Sequence, residues 1–276
     1  MRDPVTWVIL DVNYLAYRAF YAHSNLTYED RPSGVLYGLF RDVRTFTDRY
    51  ATDQIIFCFD HGINVRKKVY RNYKANREVD DPLLKKSLEQ MRKQLHNFKY
   101  HLLKHIGYRN VFFQDGYEAD DIIASVVMNL PRQDEAVIIS ADTDLFQVLT
   151  NKVRQFSPRE KVTYDEDKIR FLHGIGPDKF AQAKAIAGCS TDNVIGLHNV
   201  GIKKAAEFIS GKMNDNSATA KKIADFIGSE RYDLNYKLIS LPYSGTKDYV
   251  AVLEDPVSER RWNEVMREFG MKSLRR

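Results

Sequence analysis

Eight carboxylates, Asp11, Asp60, Glu118, Asp120, Asp121, Asp142, Asp144 and Asp192, fall where a chain of alternating strands and helices gathers its loops. Crowded carboxylates repel and raise one another's pKa, so a hard divalent cation with oxygen ligands is the natural way to keep them ionised. The chain as a whole is basic: 42 Lys and Arg stand against 37 Asp and Glu, a net charge of +5. If these acids face metal, the remaining surface is more positive than that figure and suits a polyanion such as nucleic acid. Metal ions placed beneath a polyanion are an arrangement that catalyses phosphodiester hydrolysis.

The elements that must position these acids are legible as short apolar runs at residues 5–10, 54–59, 110–114 and 136–140, separated by longer amphipathic stretches. This pattern predicts an α/β fold with a mostly parallel central sheet flanked by helices. Three runs end at or just before an acid, at Asp11, Asp60 and Asp142. Ligand sites in open α/β sheets lie at the carboxyl ends of the strands, so these acids should converge. Each Asp taken alone is equally well explained as a helix cap, and Asp142-Thr-Asp144 alone as a solvated turn. In Gly116-Tyr-Glu-Ala-Asp-Asp121, a count of 100° per residue puts Glu118 and Asp121 on one helical face, with Asp120 pointing to an adjacent position.

Residues 62–109 carry 13 Lys and Arg against 4 Asp and Glu. Residues 64–81 contain neither Gly nor Pro, and a helix there would align Arg66, Tyr70, Tyr73, Lys74 and Arg77 in one stripe of cations and aromatics. Such a stripe suits a single strand, with phosphates on the cations and bases on tyrosine, or it is simply a solvated helix face. A short hairpin is expected at 153–156 and 162–164. From about residue 178 the chain reads as helical, with a glycine-bearing loop at 188–201 before a helix beginning Lys203-Lys204. Gly201 and those lysines would offer a helix start and positive charge to a DNA phosphate. Cys58 and Cys189 lack the spacing of a disulfide framework or zinc module, and His101 and His105 lack a third ligand nearby. No secretory or membrane-spanning run is present, which makes a cytoplasmic protein the expectation.

Together, Leu10-Asp-Val-Asn-Tyr-Leu-Ala-Tyr-Arg-Ala19, Phe57-Cys-Phe-Asp60, Tyr73-Lys-Ala-Asn-Arg77, Gly116-Tyr-Glu-Ala-Asp-Asp121, Ser140-Ala-Asp-Thr-Asp-Leu-Phe-Gln147 and Asp192-Asn193 resemble the 5′-nuclease family. That family includes flap endonucleases and the 5′→3′ exonuclease domain of bacterial DNA polymerase I; the length resembles its free-standing bacteriophage or bacterial members. The resemblance implies a nuclease core over 1–177 with a helical arch at about 62–109. It also implies a helical DNA-binding region over 178–276, with a helix-three-turn-helix at about 180–210. Asp11, Asp60, Glu118 and Asp120 match the first metal site, Asp121 and Asp142 acids between the sites, and Asp144 and Asp192 the second. Lys74 and Arg77 would meet the scissile phosphate, while Arg18, Arg66, Tyr70, Tyr73, Gly201, Lys203 and Lys204 would contact nucleic acid. Two Mg²⁺ or Mn²⁺ ions are implied, with K⁺ at the 188–201 loop.

The implied activity is metal-dependent hydrolysis near the junction of duplex and 5′ single strand, on DNA with a 5′ flap or 5′ end or on an RNA primer–DNA hybrid. A monomer working with replication proteins is expected. Two departures weaken parts of this reading. Cys189 stands where the family usually has Asp, removing a hard ligand from the second site. Asn199 stands where a glycine usually allows close backbone approach to duplex and potassium. A DNA-binding protein with feeble catalysis and a PIN-like RNA nuclease are the alternatives.

Overall fold

A computed structural model describes residues 2–77, 79–253 and 255–276. Its centre is a six-stranded sheet formed by β1 (Thr6–Asp11), β2 (Ile55–Cys58), β3 (Val111–Phe112), β4 (Glu135–Ile139), β5 (Val153–Ser157) and β6 (Val162–Tyr164). The spatial order is β3-β2-β1-β4-β5-β6, parallel throughout except for the β5–β6 hairpin.

Strand alternation builds two cores from the same residues. Val8 and Leu10 of β1, Ile55 and Phe57 of β2, and Val137 and Ile139 of β4 enter one core; Trp7, Ile9, Ile56, Cys58, Ala136 and Ile138 enter the other. Both faces are therefore covered, which explains why the runs read as continuous apolar segments. The first core is closed by α1 (Val12–His23), α2 (Gly34–Tyr50), α4 (Pro82–Asn97) and the C-terminal helix Glu259–Glu268. Trp262 of that last helix is fully buried edge-on to Phe40, so the chain's end belongs to the same core as its beginning. Parallel register, with Leu10 beside both Phe57 and Ile139, aligns the carboxyl ends of three strands and hence the segments bearing Asp11, Asp60 and Asp142.

The stretch 64–81 is not one helix. It contains the four-residue α3 (Arg66–Val69), an extended Tyr70, Lys74 in the left-handed region at φ 54°, and a 3-10 turn at Ala75–Arg77. A tertiary partner breaks it. Arg66 is only 1% exposed and donates from Nη1 and Nη2 to the two oxygens of fully buried Asp121, at 2.7 and 2.8 Å. Its Nε also donates to the Leu238 carbonyl at 2.8 Å. Asp121 further accepts the Tyr243 and Glu118 backbone N–H groups at 2.8 and 3.2 Å. The pair thus locks three distant segments together, and hydrogen bonds beyond the pair offset part of the cost of burying its charges.

Removing one partner should be far worse than removing both. Arg66→Met is expected to cost about 3–5 kcal/mol by leaving Asp121 buried and uncompensated. The double variant Arg66→Met/Asp121→Leu should recover much of that loss, as checked by urea unfolding of all three proteins.

Candidate active site and metal centre

Asp11, Asp60, Glu118, Asp120 and Asp142 line one cavity of 330 Å³ at the carboxyl edge of the sheet, together with Lys74 and Arg77. Each acid is placed by its backbone. Asp11 ends β1 and caps α1, accepting the Tyr14 N–H at 3.1 Å and the Ser140 hydroxyl at 2.8 Å. Asp60 follows β2 and accepts the Ala119 N–H at 2.7 Å, while its own N–H donates to Asn13 at 3.0 Å. Asp142 accepts the Asp144 N–H at 2.8 Å.

The helical count that put Asp121 on the face of Glu118 and turned Asp120 aside does not hold. Glu118 is the extended N-cap of α5 (Ala119–Met128), so the helical count cannot begin at that residue. Asp121 points into the protein at Arg66, away from the cavity where its expected metal and catalytic role would place it, whereas Asp120 faces the cavity. Arg66 and Tyr73 are likewise unavailable to nucleic acid, being 1% and 3% exposed. Tyr73 donates its hydroxyl to Glu118 at 2.9 Å, Tyr70 is half-buried, and Arg18 pairs at 2.6 Å with buried Asp42. His105 approaches Glu264 at 3.3 Å.

The acids differ in how their charge is met. Lys74 contacts Glu118 and lies 3.9 Å from Asp192, and Arg77 donates to Asp192 at 2.6 Å. Burial works against ionising Glu118, but Lys74 and Arg66 outweigh it and hold its pKa below the ordinary value. Asp11, Asp60, Asp120 and Asp142 form no ion pair among the described residues. Dehydration, followed by the Asp60 charge, pushes Asp11 up to about 7. Dehydration with the Asp142 and Asp11 charges drives Asp120 well up, and dehydration with the Glu118 charge raises Asp60. An all-oxygen pocket of uncompensated carboxylates fits a hard cation.

A second group is tighter. Asp144, Cys189 and Asp192 bring ligand atoms within 4.8 Å of one another, and could hold a metal by spacing alone. Three cations already stand there: Lys184 against Asp144, Arg77 on Asp192, and Lys74 3.9 Å from Asp192. With a thiol for a third donor, this group does not fit Mg²⁺ unless Lys184 moves away.

A model of the "5′-3′ exonuclease, N-terminal resolvase-like domain" matches residues 6–173. The chain belongs to the 5′-3′ exonuclease family. It is 30% identical over 208 residues to the 5′-3′ exonuclease of Buchnera aphidicola subsp. Schizaphis graminum, covering 74% of this chain and 69% of that protein. It is 28% identical over 211 residues to DNA polymerase I of Caldicellulosiruptor bescii, covering 73% of this chain and 24% of the polymerase. Its fold matches the T5 5′-exonuclease solved with bound zinc, at TM-score 0.72 and 23% identity over 86% of this chain and 90% of that one.

Within this 5′-3′ exonuclease-family chain, the structure also brings in residues that sequence reasoning missed. Asn13, Tyr14, Tyr17 and Arg159 line the carboxylate cavity. Tyr17 and Tyr21 border an adjoining cavity of 800 Å³ that shares Asp60 and Arg77 with the first. The signal was present as Tyr14, Tyr17 and Tyr21 at helical spacing after Asp11. Tyr17 and Tyr21 are 40% and 69% exposed. Gly201 caps the helix Ile202–Ile209, where Lys203 and Lys204 are exposed. Asn199 adopts φ 62°, which Asn tolerates, and its carbonyl accepts from Lys204 at 3.1 Å.

Cation binding must compete with protons on Asp11, so affinity should fall with acid. Below pH 7, Mn²⁺ affinity is expected to drop about tenfold per pH unit for each proton displaced. Calorimetry in buffers of different ionisation enthalpy reads both the affinity and the proton release. At the second group, Lys184→Met combined with Cys189→Asp should raise Mn²⁺ stoichiometry at millimolar metal from one towards two. The wild type binding two ions equally would refute this account of Lys184.

Proposed function

We propose that this chain is a divalent-metal-dependent, structure-specific 5′ nuclease, cutting phosphodiester bonds near the junction of duplex and 5′ single strand as a 5′→3′ exonuclease and flap endonuclease. The observation that carries the reading is one cavity in which Asp11, Asp60, Asp120 and Asp142 have no ion-pair partner among the described residues while Lys74 and Arg77 stand at their side. Mg²⁺ or Mn²⁺ held there would supply a Lewis acid and a water of lowered pKa. The chain's own residues do the rest. Lys74 and Arg77 offer positive charge to the reacting phosphate, and Ser140 and the Tyr14 N–H hold Asp11 towards the cavity. Tyr17 and Tyr21 present rings on which bases of a single strand can stack.

Gly201, Lys203 and Lys204 are proposed to meet the duplex backbone, with K⁺ as a further ligand of the 188–201 loop. The phage T5 flap endonuclease was solved in complex with DNA and metal ions, which supports the choice of polymer and cofactor. DNA with a 5′ flap or 5′ end and RNA primer–DNA hybrids are the proposed substrates, in replication, primer removal or repair. The proposed setting is the cytoplasm, where a monomer would act beside replication proteins. No helix among the described residues is long and apolar enough to cross a membrane.

Lys184 on Asp144 favours one second reading, a DNA-binding protein with feeble catalysis. Binding of a 5′-flap substrate in Ca²⁺ without turnover in Mg²⁺ or Mn²⁺ would select it. Under the nuclease reading, excess EDTA abolishes cleavage, and Lys74→Ala slows single-turnover hydrolysis by about 100-fold or more. Flap affinity in Ca²⁺ should change less than about threefold, because one cation near the reacting phosphate is a small part of a distributed contact. An unchanged single-turnover rate would leave Lys74 as a structural cation only.

A further inference from the structure

Lys99 is 7% exposed, yet among the described residues its ammonium has neither an ion-pair partner nor a hydrogen-bond acceptor. It sits in an aromatic cage, 3.7 Å from the ring centre of Phe113, 5.1 Å from Phe59 and 5.2 Å from Tyr100. Aromatic faces stabilise a cation but satisfy none of its N–H donors. Burial pushes the Lys99 pKa down to about 8, which still leaves it charged at neutral pH. A lysine used only as filler would be replaced by Met or Leu at less desolvation cost.

The local backbone is also unusual. The long helix passes from Pro82–Asn97 into a π-helical turn at Phe98–Leu102, and Lys99 lies within that turn. Single π turns are rare and occur frequently at functional sites.

The ammonium borders a cavity of 480 Å³ lined also by Arg92, His96 and His61. That cavity shares Asp60 and Asn13 with the carboxylate pocket, and Arg92 with the cavity beside Tyr17 and Tyr21. A strand whose scissile phosphate lies at the carboxylates therefore has a neighbouring recess with two cations, the buried Lys99 and the exposed Arg92. Asp60 is the one carboxylate among the recess-lining residues, and the proposed metal would neutralise it.

We propose that Lys99 and Arg92 form a phosphate-binding recess that receives a phosphate of the 5′ strand next to the scissile one. Its chemistry suits a terminal 5′ monoester, whose two charges match two cations, and also an internal diester. The inference rests on the 5′-nuclease reading for the identity of the strand, but binding can be measured without cleavage.

The test uses fluorescence anisotropy in Ca²⁺ with the full chain and three substrates of one sequence. These are a recessed 5′-phosphate end, the same end as a 5′-hydroxyl, and a 5′-hydroxyl flap with a single neutral methylphosphonate placed in turn at each linkage near the junction. Removing the recognised charge should weaken wild-type binding by about tenfold. Lys99→Met and Arg92→Gln should both abolish that discrimination. Arg92 is exposed, so its variant serves even if the Lys99 variant fails to fold. Sensitivity to the terminal group identifies the monoester, and sensitivity to one methylphosphonate identifies an internal diester. If any variant that folds discriminates as the wild type does, or the wild type discriminates at neither place, the recess is not a phosphate site. Discrimination without Mg²⁺-dependent hydrolysis would sink the nuclease reading and leave this one standing, whereas hydrolysis without discrimination would sink this one alone.

Discussion

The buried pair of Arg66 and Asp121 is the constraint from which the site follows. Placing two charges where they are 1% and 0% exposed is costly unless every donor and acceptor is satisfied. Here satisfaction requires the Leu238 carbonyl and the Tyr243 and Glu118 N–H groups as well. One interaction therefore fixes α3, the start of α5 and the segment around residues 238–243. Holding the Glu118 N–H also keeps Glu118 extended ahead of α5, where its side chain meets Tyr73 and Lys74. The residues from Arg66 to Lys74 are thereby folded back on the acidic edge instead of running on as a helix.

This is also why sequence reading succeeded at the sheet and failed at 64–81. Strand positions were legible because burial on both faces leaves an apolar run that no loop imitates. The convergence of Asp11, Asp60 and Asp142 then followed from parallel topology alone. The polar stretch with Arg66, Tyr70 and Tyr73 had helical spacing, but spacing carries no information about a partner 55 residues away in Asp121. The helical count misplaced Asp121 beside Glu118 for a related reason. A helical wheel presumes the helix has begun, and Glu118 lies just before it. Lys184 and Lys99 were invisible because each draws its meaning from residues distant in the chain: Asp144 for the first, Phe59 and the Asp60 recess for the second. Cys189 was readable as a departure, but the lysine beside its cluster was not.

Like-charge repulsion among so many acids is resolved residue by residue, and the pattern of resolution marks the proposed metal pocket. Asp121 has Arg66, Glu118 has Lys74, Asp192 has Arg77 and Asp144 has Lys184. Asp11, Asp60, Asp120 and Asp142 have only neutral donors or none, and they line the same cavity. Neutral hydrogen bonds orient a carboxylate without cancelling its charge, so repulsion among these acids persists until a proton or a cation enters. The proposed first cation position is thus the set of acids for which the described residues supply no paired cation. By the same reasoning the Asp144, Cys189 and Asp192 group, although tighter in space, is the weaker candidate for a hard ion, because side chains already provide there what a metal would bring.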